Sequence, residues 1–98
     1  MSSLHTCNRS PTNPVLQTCV SVLQPDDALL LTENGVYWAT HDFLHALSSL
    51  PDEVTVLALH EDLQARGLLS RVSERIRIVD YNEFVRLCCE HDRVINWF

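Results

Sequence analysis

Short apolar runs at Ala28 to Thr32, Val54 to Leu59 and Ile76 to Val79 are separated by stretches whose apolar residues recur three and four apart. That alternation constrains the fold more than any other feature of the chain. A strand followed by a helical stripe and then another strand makes a βαβ unit, whose strands run parallel and whose helices cover the sheet. Ala28 to Leu31 is apolar without alternation, as expected of a parallel strand buried on both faces. Ser3 to Cys7 is read as a further strand, stopped by Asn8, Ser10 and Pro11. Asn13 and Pro14 are placed to open a helix whose apolar face is Leu16, Cys19, Val20 and Leu23.

Farther along, Asn34-Gly35 marks a turn, and Phe43, Ala46, Leu47 and Leu50 predict a second helix closed by Pro51. Glu61 to Arg66 predicts a short helix, with Gly67 placed to end it in a left-handed conformation. Asp80 is positioned to cap a last helix with an apolar stripe at Tyr81, Phe84, Val85 and Cys88. The tail Val94 to Phe98 is too apolar for a loose end and is expected as an edge strand or in an interface. The predicted fold class is therefore α/β: one domain over residues 1–98, a mostly parallel sheet of about four to five strands with helices on both faces.

In such a sheet the working edge lies beyond the carboxyl ends of the strands. Here that edge collects Asn8-Arg9-Ser10, Glu33-Asn34-Gly35, His60-Glu61-Asp62 and Asp80. With only Gly35 and Gly67 in the chain, no glycine-rich loop can cradle a nucleotide's phosphates, and no cofactor is expected. The net charge is −6, with seven arginines and no lysine, so the basic footprint of a nucleic-acid binder is missing. The opening MSSLHTCNRSP has neither a basic nor an apolar leader region, and the longest apolar run is too short to span a bilayer. A cytoplasmic protein without membrane attachment is expected.

Four cysteines in a reducing compartment are not expected to pair. His5-x-Cys7 and Cys88-Cys89-x-His91 offer soft ligands, but at spacings that fit no common zinc site, so core packing is the expectation for these cysteines and for His5. His60-Glu61-Asp62 could serve acid–base chemistry. The simpler account is that carboxylates favour the positive start of the helix that follows. Cys19 lies on an apolar stripe, which favours a buried, unreactive thiol. Trp97 and Phe98 fit core docking or a subunit contact equally.

Several blocks together resemble the TusB/DsrH family. They are Leu4-His5-Thr6 with Ser10-Pro11, then Asp27 to Leu31 with Gly35-Val36, then Asp62-Leu63-x-Ala65-Arg66-Gly67-Leu68, and then Val79-Asp80-Tyr81-x-x-Phe84-Val85-x-Leu87, with Trp97 closing the chain. They occur in family order over nearly the whole chain, and only Thr40 to Asp52 carries nothing diagnostic. The resemblance implies a DsrE/F/H-like fold. It also implies a heterohexamer with TusC/DsrF-like and TusD/DsrE-like subunits, and persulfide transfer through that complex to a TusE/DsrC-like acceptor. In the Tus branch the sulfur goes to tRNA wobble-uridine 2-thiolation, and in the Dsr branch to sulfur oxidation. The principal acceptor cysteine is implied to lie on the TusD/DsrE-like subunit. Cys19 matches a first-helix cysteine of DsrH-type members, which makes it the candidate persulfide carrier. A purely structural subunit that carries no sulfur stands as the alternative.

Overall fold

The computed structural model describes residues 2–98. Five strands, β1 (Ser3–Cys7), β2 (Ala28–Leu31), β3 (Thr55–Leu59), β4 (Arg77–Val79) and β5 (Arg93–Trp97), form one sheet in the order β4-β3-β2-β1-β5. All four pairings are parallel. Burial follows position in the sheet. Every residue of β1 and β2 is buried, whereas only Val79 is buried in the edge strand β4, and no residue of β5 is. The unbroken apolar run in β2 thus has the cause expected of it, cover on both faces.

Successive strand residues point to opposite faces. One face presents Cys7, Leu29, Leu31, Val56 and Ala58 to a core completed by Leu16 and Cys19 of α1 (Val15–Val22) and Leu63 of α2 (His60–Ala65). The other presents Leu4, Ala28, Leu30, Leu57 and Val79 to Phe84, Leu87 and Cys88 of α3 (Tyr81–Glu90). Helices therefore cover both faces, but the second face has α3 alone.

At the start of α1 the N-cap is Pro14, one residue later than expected, and no side chain caps it; Asn13 Oδ1 accepts from the Val15 N–H at 2.9 Å in the turn that leads in. Asp80 Oδ1 accepts from the Glu83 N–H at 2.9 Å at the start of α3. The Glu83 carboxylate does not reach back to complete a capping box; it accepts from Arg77 Nη2 at 2.9 Å. At the end of α2, Gly67 has φ 67°, with its N–H on the Gln64 carbonyl at 3.1 Å and the Leu68 N–H on the Leu63 carbonyl at 2.9 Å. This is a Schellman closure, and it needs a residue without the Cβ penalty in the left-handed region.

Three further expectations are corrected. Phe43 to Leu50 forms no α-helix; only a 3-10 turn, Leu44–Leu47, occurs there, after another at Glu33–Ala39. Phe43/Ala46 and Leu47/Leu50 are three apart, a spacing that suits 3.0 residues per turn as well as 3.6. The chain is also pinned before this turn by an antiparallel bridge between Thr40 and Val72, leaving little length for a regular helix. The α3 stripe is Phe84, Leu87 and Cys88, with Tyr81 and Val85 both more than half exposed. Val85 lies about 100° around the helix from Phe84, and Tyr81 stands in the first turn, at the carboxyl edge of the sheet. Cys89, expected in helix packing, is exposed.

Candidate functional site at the carboxyl edge of the sheet

The strand ends deliver Asn8, Thr32-Glu33, His60-Glu61, Asp80 and Phe98 to one edge, where a cavity of about 420 Å³ opens. Its lining includes the aromatics Tyr81, Phe84, Trp97 and Phe98 and the carboxylates of Glu33, Glu61 and Asp62. Asn8 and Glu33 also border a second hollow of about 220 Å³, shared with Arg9, Ser10 and Asn34. The edge predicted from the sequence therefore carries concave surface, and a further hollow of about 340 Å³ lies away from it at Thr40 to Asp42 and Ser70-Arg71. His60 and Asp80 line neither hollow at the edge: His60 opens α2 and Asp80 caps α3.

The Asp62 and Glu61 carboxylates are held by backbone donors. Glu33 has φ 49°, a left-handed conformation that costs a residue with a Cβ, and its N–H donates to Asp62 Oδ2 at 2.6 Å. Arg66 donates from Nε to Asn34 Oδ1 at 3.0 Å and sits 3.8 Å from Asp62 Oδ1. The Tyr81 N–H donates to Glu61 Oε2 at 3.2 Å, so α2 and α3 are joined through the rim. These contacts explain why carboxylates follow β3, beyond their preference for a helix start. On the floor, Thr6 Oγ1 donates to Asn96 Oδ1 at 2.6 Å, while the buried Asn8 Oδ1 has no hydrogen-bond partner.

Beneath the edge lies a buried polar chain. Trp97 Nε1–H donates to His5 Nδ1 at 3.0 Å, and His5 Nε2 lies 3.2 Å from Asp27 Oδ2. An indole nitrogen only donates, so Nδ1 must accept and the imidazole proton resides on Nε2, directed at Asp27. Asp27, only 6% exposed, also accepts from the backbone N–H groups of Ser3 and Gln24, each at 3.0 Å. Burial raises the Asp27 pKa, but these two N–H donors and His5 outweigh it, and the carboxyl is held below its ordinary value. Reading the sequence assigned His5 to the core but missed Asp27 as its partner. The available signal was an acidic residue directly preceding a buried strand.

The thiols are dispersed. Cys7 of β1 and Cys19 of α1 are fully buried in the core between that helix and the sheet, and Cys88 is half-buried on the sheet-facing side of α3. Burial pushes Cys19 up to about 12, reinforced by the nearby Cys7 and Asp27. Burial also raises Cys7, against the lowering effect of the Arg9 backbone, and raises Cys88 with help from Cys89. Cys19 faces the core and lines neither hollow at the edge. His91 Nδ1 is engaged with the Leu87 carbonyl at 2.9 Å. Among the described residues, no group of three or more His, Cys, Asp or Glu side chains could hold a metal ion, and no helix is long and apolar enough to cross a membrane.

A parallel five-stranded sheet with helices on both faces and a concave carboxyl edge is an open α/β fold, and it matches the DsrE/F/H-like one. The fold is shared with the ychN protein of Escherichia coli (TM-score 0.75, 16% identity, 99% of each chain). It is shared also with protein Tm0979 of Thermotoga maritima (TM-score 0.69, 25% identity, 90% of this chain and 92% of that one). Residues 9–94 match the family described as DsrH like protein. Relatives named Protein TusB are 40% identical over 96 residues in Escherichia coli O81 and 38% identical over 96 residues in Pectobacterium atrosepticum. Each alignment spans 96% of this chain and 99% of the relative. The chain belongs to the TusB/DsrH family, a sulfur-relay family.

Proposed function

We propose that this chain is a non-autonomous cytoplasmic subunit of a heterohexameric sulfurtransferase complex. Its partners in this reading are TusC/DsrF-like and TusD/DsrE-like subunits, and the complex passes persulfide sulfur to a TusE/DsrC-like acceptor for tRNA wobble-uridine 2-thiolation. The observation that carries the reading is the near full-length match to relatives named Protein TusB. The Dsr branch, serving sulfur oxidation, keeps the same assembly with a different destination for the sulfur. The test is co-expression with the two related subunits followed by sizing and native mass spectrometry. A discrete complex with two copies of each chain is expected, and a stable monomer that ignores both relatives overturns the reading.

Whether this subunit itself carries sulfur turns on Cys19. Carriage requires the Cys19 thiolate to attack the outer sulfur of a donor persulfide, forming Cys19–S–SH and releasing the donor as its thiolate. A thiol with a pKa of about 12 is ionised to only about one part in 10⁵ at pH 7. Its complete burial favours the structural reading, in which the chain completes the complex and the sister subunit handles sulfur. Carriage would then need α1 to part from the sheet in the assembly. Loading the complex with a cysteine desulfurase and mapping added sulfur by mass spectrometry separates the two. Label on this chain that disappears in Cys19→Ala supports carriage, and absence of label supports the structural reading.

A further inference from the structure

We infer that the carboxyl-edge cavity is a receptor for a cationic side chain, arginine or lysine, presented by a partner polypeptide. Two features of the wall converge on that chemistry. No residue lining the cavity is Arg, Lys or His, although three are carboxylates. Asp62 is partly compensated by Arg66 at 3.8 Å and occupied by the Glu33 N–H, and Glu61 accepts from the Tyr81 N–H at 3.2 Å; among the described residues neither Glu33 nor Glu61 has a cationic partner, so these two carry the unneutralised charge. The same cavity is lined by aromatics, with the Tyr81 and Phe84 rings edge to face at 5.6 Å and Trp97 and Phe98 also in the lining. Aromatic faces attract a cation, and they also pack against the aliphatic stem of a long basic side chain. A guanidinium or ammonium group offers donors only, so carboxylates and aromatic faces both suit it.

The backbone supports a preformed receptor. The Glu33 backbone, in the left-handed region, donates its N–H to Asp62 Oδ2, which anchors the Asp62 carboxylate at the rim. The mouth points to a polypeptide as the bearer of the cation, because Phe98 is 75% exposed and Tyr81 56% exposed at the entrance. Apolar aromatic surface around a charged pocket is what a protein partner covers. A chain of net charge −6 without lysine also complements a basic partner.

The inference deepens the assembly part of the proposed function and rests on that reading for the kind of partner. Its test reads cation binding and not sulfur, so either can fail alone. The full chain, in the oligomeric form in which it purifies, is titrated with the peptide acetyl-Gly-Arg-Gly-amide while the Trp97 indole N–H resonance is followed. A saturable shift that weakens with salt is expected. The citrulline peptide, isosteric but neutral, should bind at least about fivefold more weakly, as should the arginine peptide to the Glu33→Gln, Glu61→Gln double variant. Equal binding of the citrulline peptide, undiminished binding by the double variant, or no shift of the Trp97 resonance overturns the assignment. Ethylguanidine binding as tightly as the peptide would assign the cavity to a small free cation and overturn the polypeptide part. The citrulline comparison uses the unmodified protein and stands even if the variants misfold.

Discussion

The Trp97 indole N–H donates to His5 Nδ1 at 3.0 Å, across 92 positions of sequence, and thereby sets the imidazole proton on Nε2, which faces Asp27. The bond ties the last strand to the first beside their backbone pairing of Cys7 with Trp97. It also extends to the turn before β2, because Asp27 holds the Ser3 and Gln24 backbones. Three segments distant in the chain are joined by one buried polar path. Such a path stabilises only while every member is satisfied.

Asp27→Asn tests this path. Both carboxylate oxygens accept hydrogen bonds, and an amide supplies only one acceptor while turning donors toward donors. A loss of about 1–3 kcal/mol is expected in urea unfolding near neutral pH. The folded-state pKa of Asp27 lies below its ordinary 3.8, so its contribution is present above that value and is lost as pH falls through the folded pKa. The gap between native and variant should therefore close in the acid range below about pH 4. A constant gap from pH 7 to pH 2 would contradict the assignment.

Gly35→Ala addresses a contact rather than a charge. A Cβ at this position would overlap the Cys7 carbonyl oxygen, which accepts from the Thr32 N–H at 3.0 Å and cannot withdraw without breaking the β1–β2 region. A destabilisation of about 1–3 kcal/mol is expected, read as a lower urea midpoint with an unchanged slope. Gly67→Ala, where nothing lies nearby, should lose only about 1 kcal/mol, the cost of a left-handed alanine.

The thiols should separate by accessibility. With iodoacetamide at neutral pH, Cys89 should alkylate first, and Cys7 and Cys19 should stay unmodified until the chain is unfolded. Rapid labelling of Cys19 in the native protein, scored by peptide mass spectrometry, would show that α1 opens readily and would move the argument toward sulfur carriage.

Nucleic-acid contact should belong to other components. With a charge of −6 and no lysine, the chain alone should show no salt-dependent tRNA binding near physiological ionic strength in a filter or anisotropy assay. Micromolar binding that collapses with added salt would refute this.

Local signals in the sequence determined much. Unbroken aliphatic character in β2 announced a strand covered on both faces, and alternation with helical stripes announced a parallel sheet and hence a working edge at its carboxyl end. Gly67 and Asp80 marked helix ends because capping is a contest between neighbouring groups, visible within a few residues. The ordered blocks that resemble the TusB/DsrH family identified the family as well. Tertiary structure alone decided the rest. It brought Trp97 and Asp27 to His5, placed Gly35 against Cys7, enclosed Cys19, and turned Phe43 to Leu50 into tight turns. Periodicity tells which face of an element is apolar, but the partner a side chain meets is set by how distant segments pack, and a spacing of three fits two kinds of helix until that packing selects one.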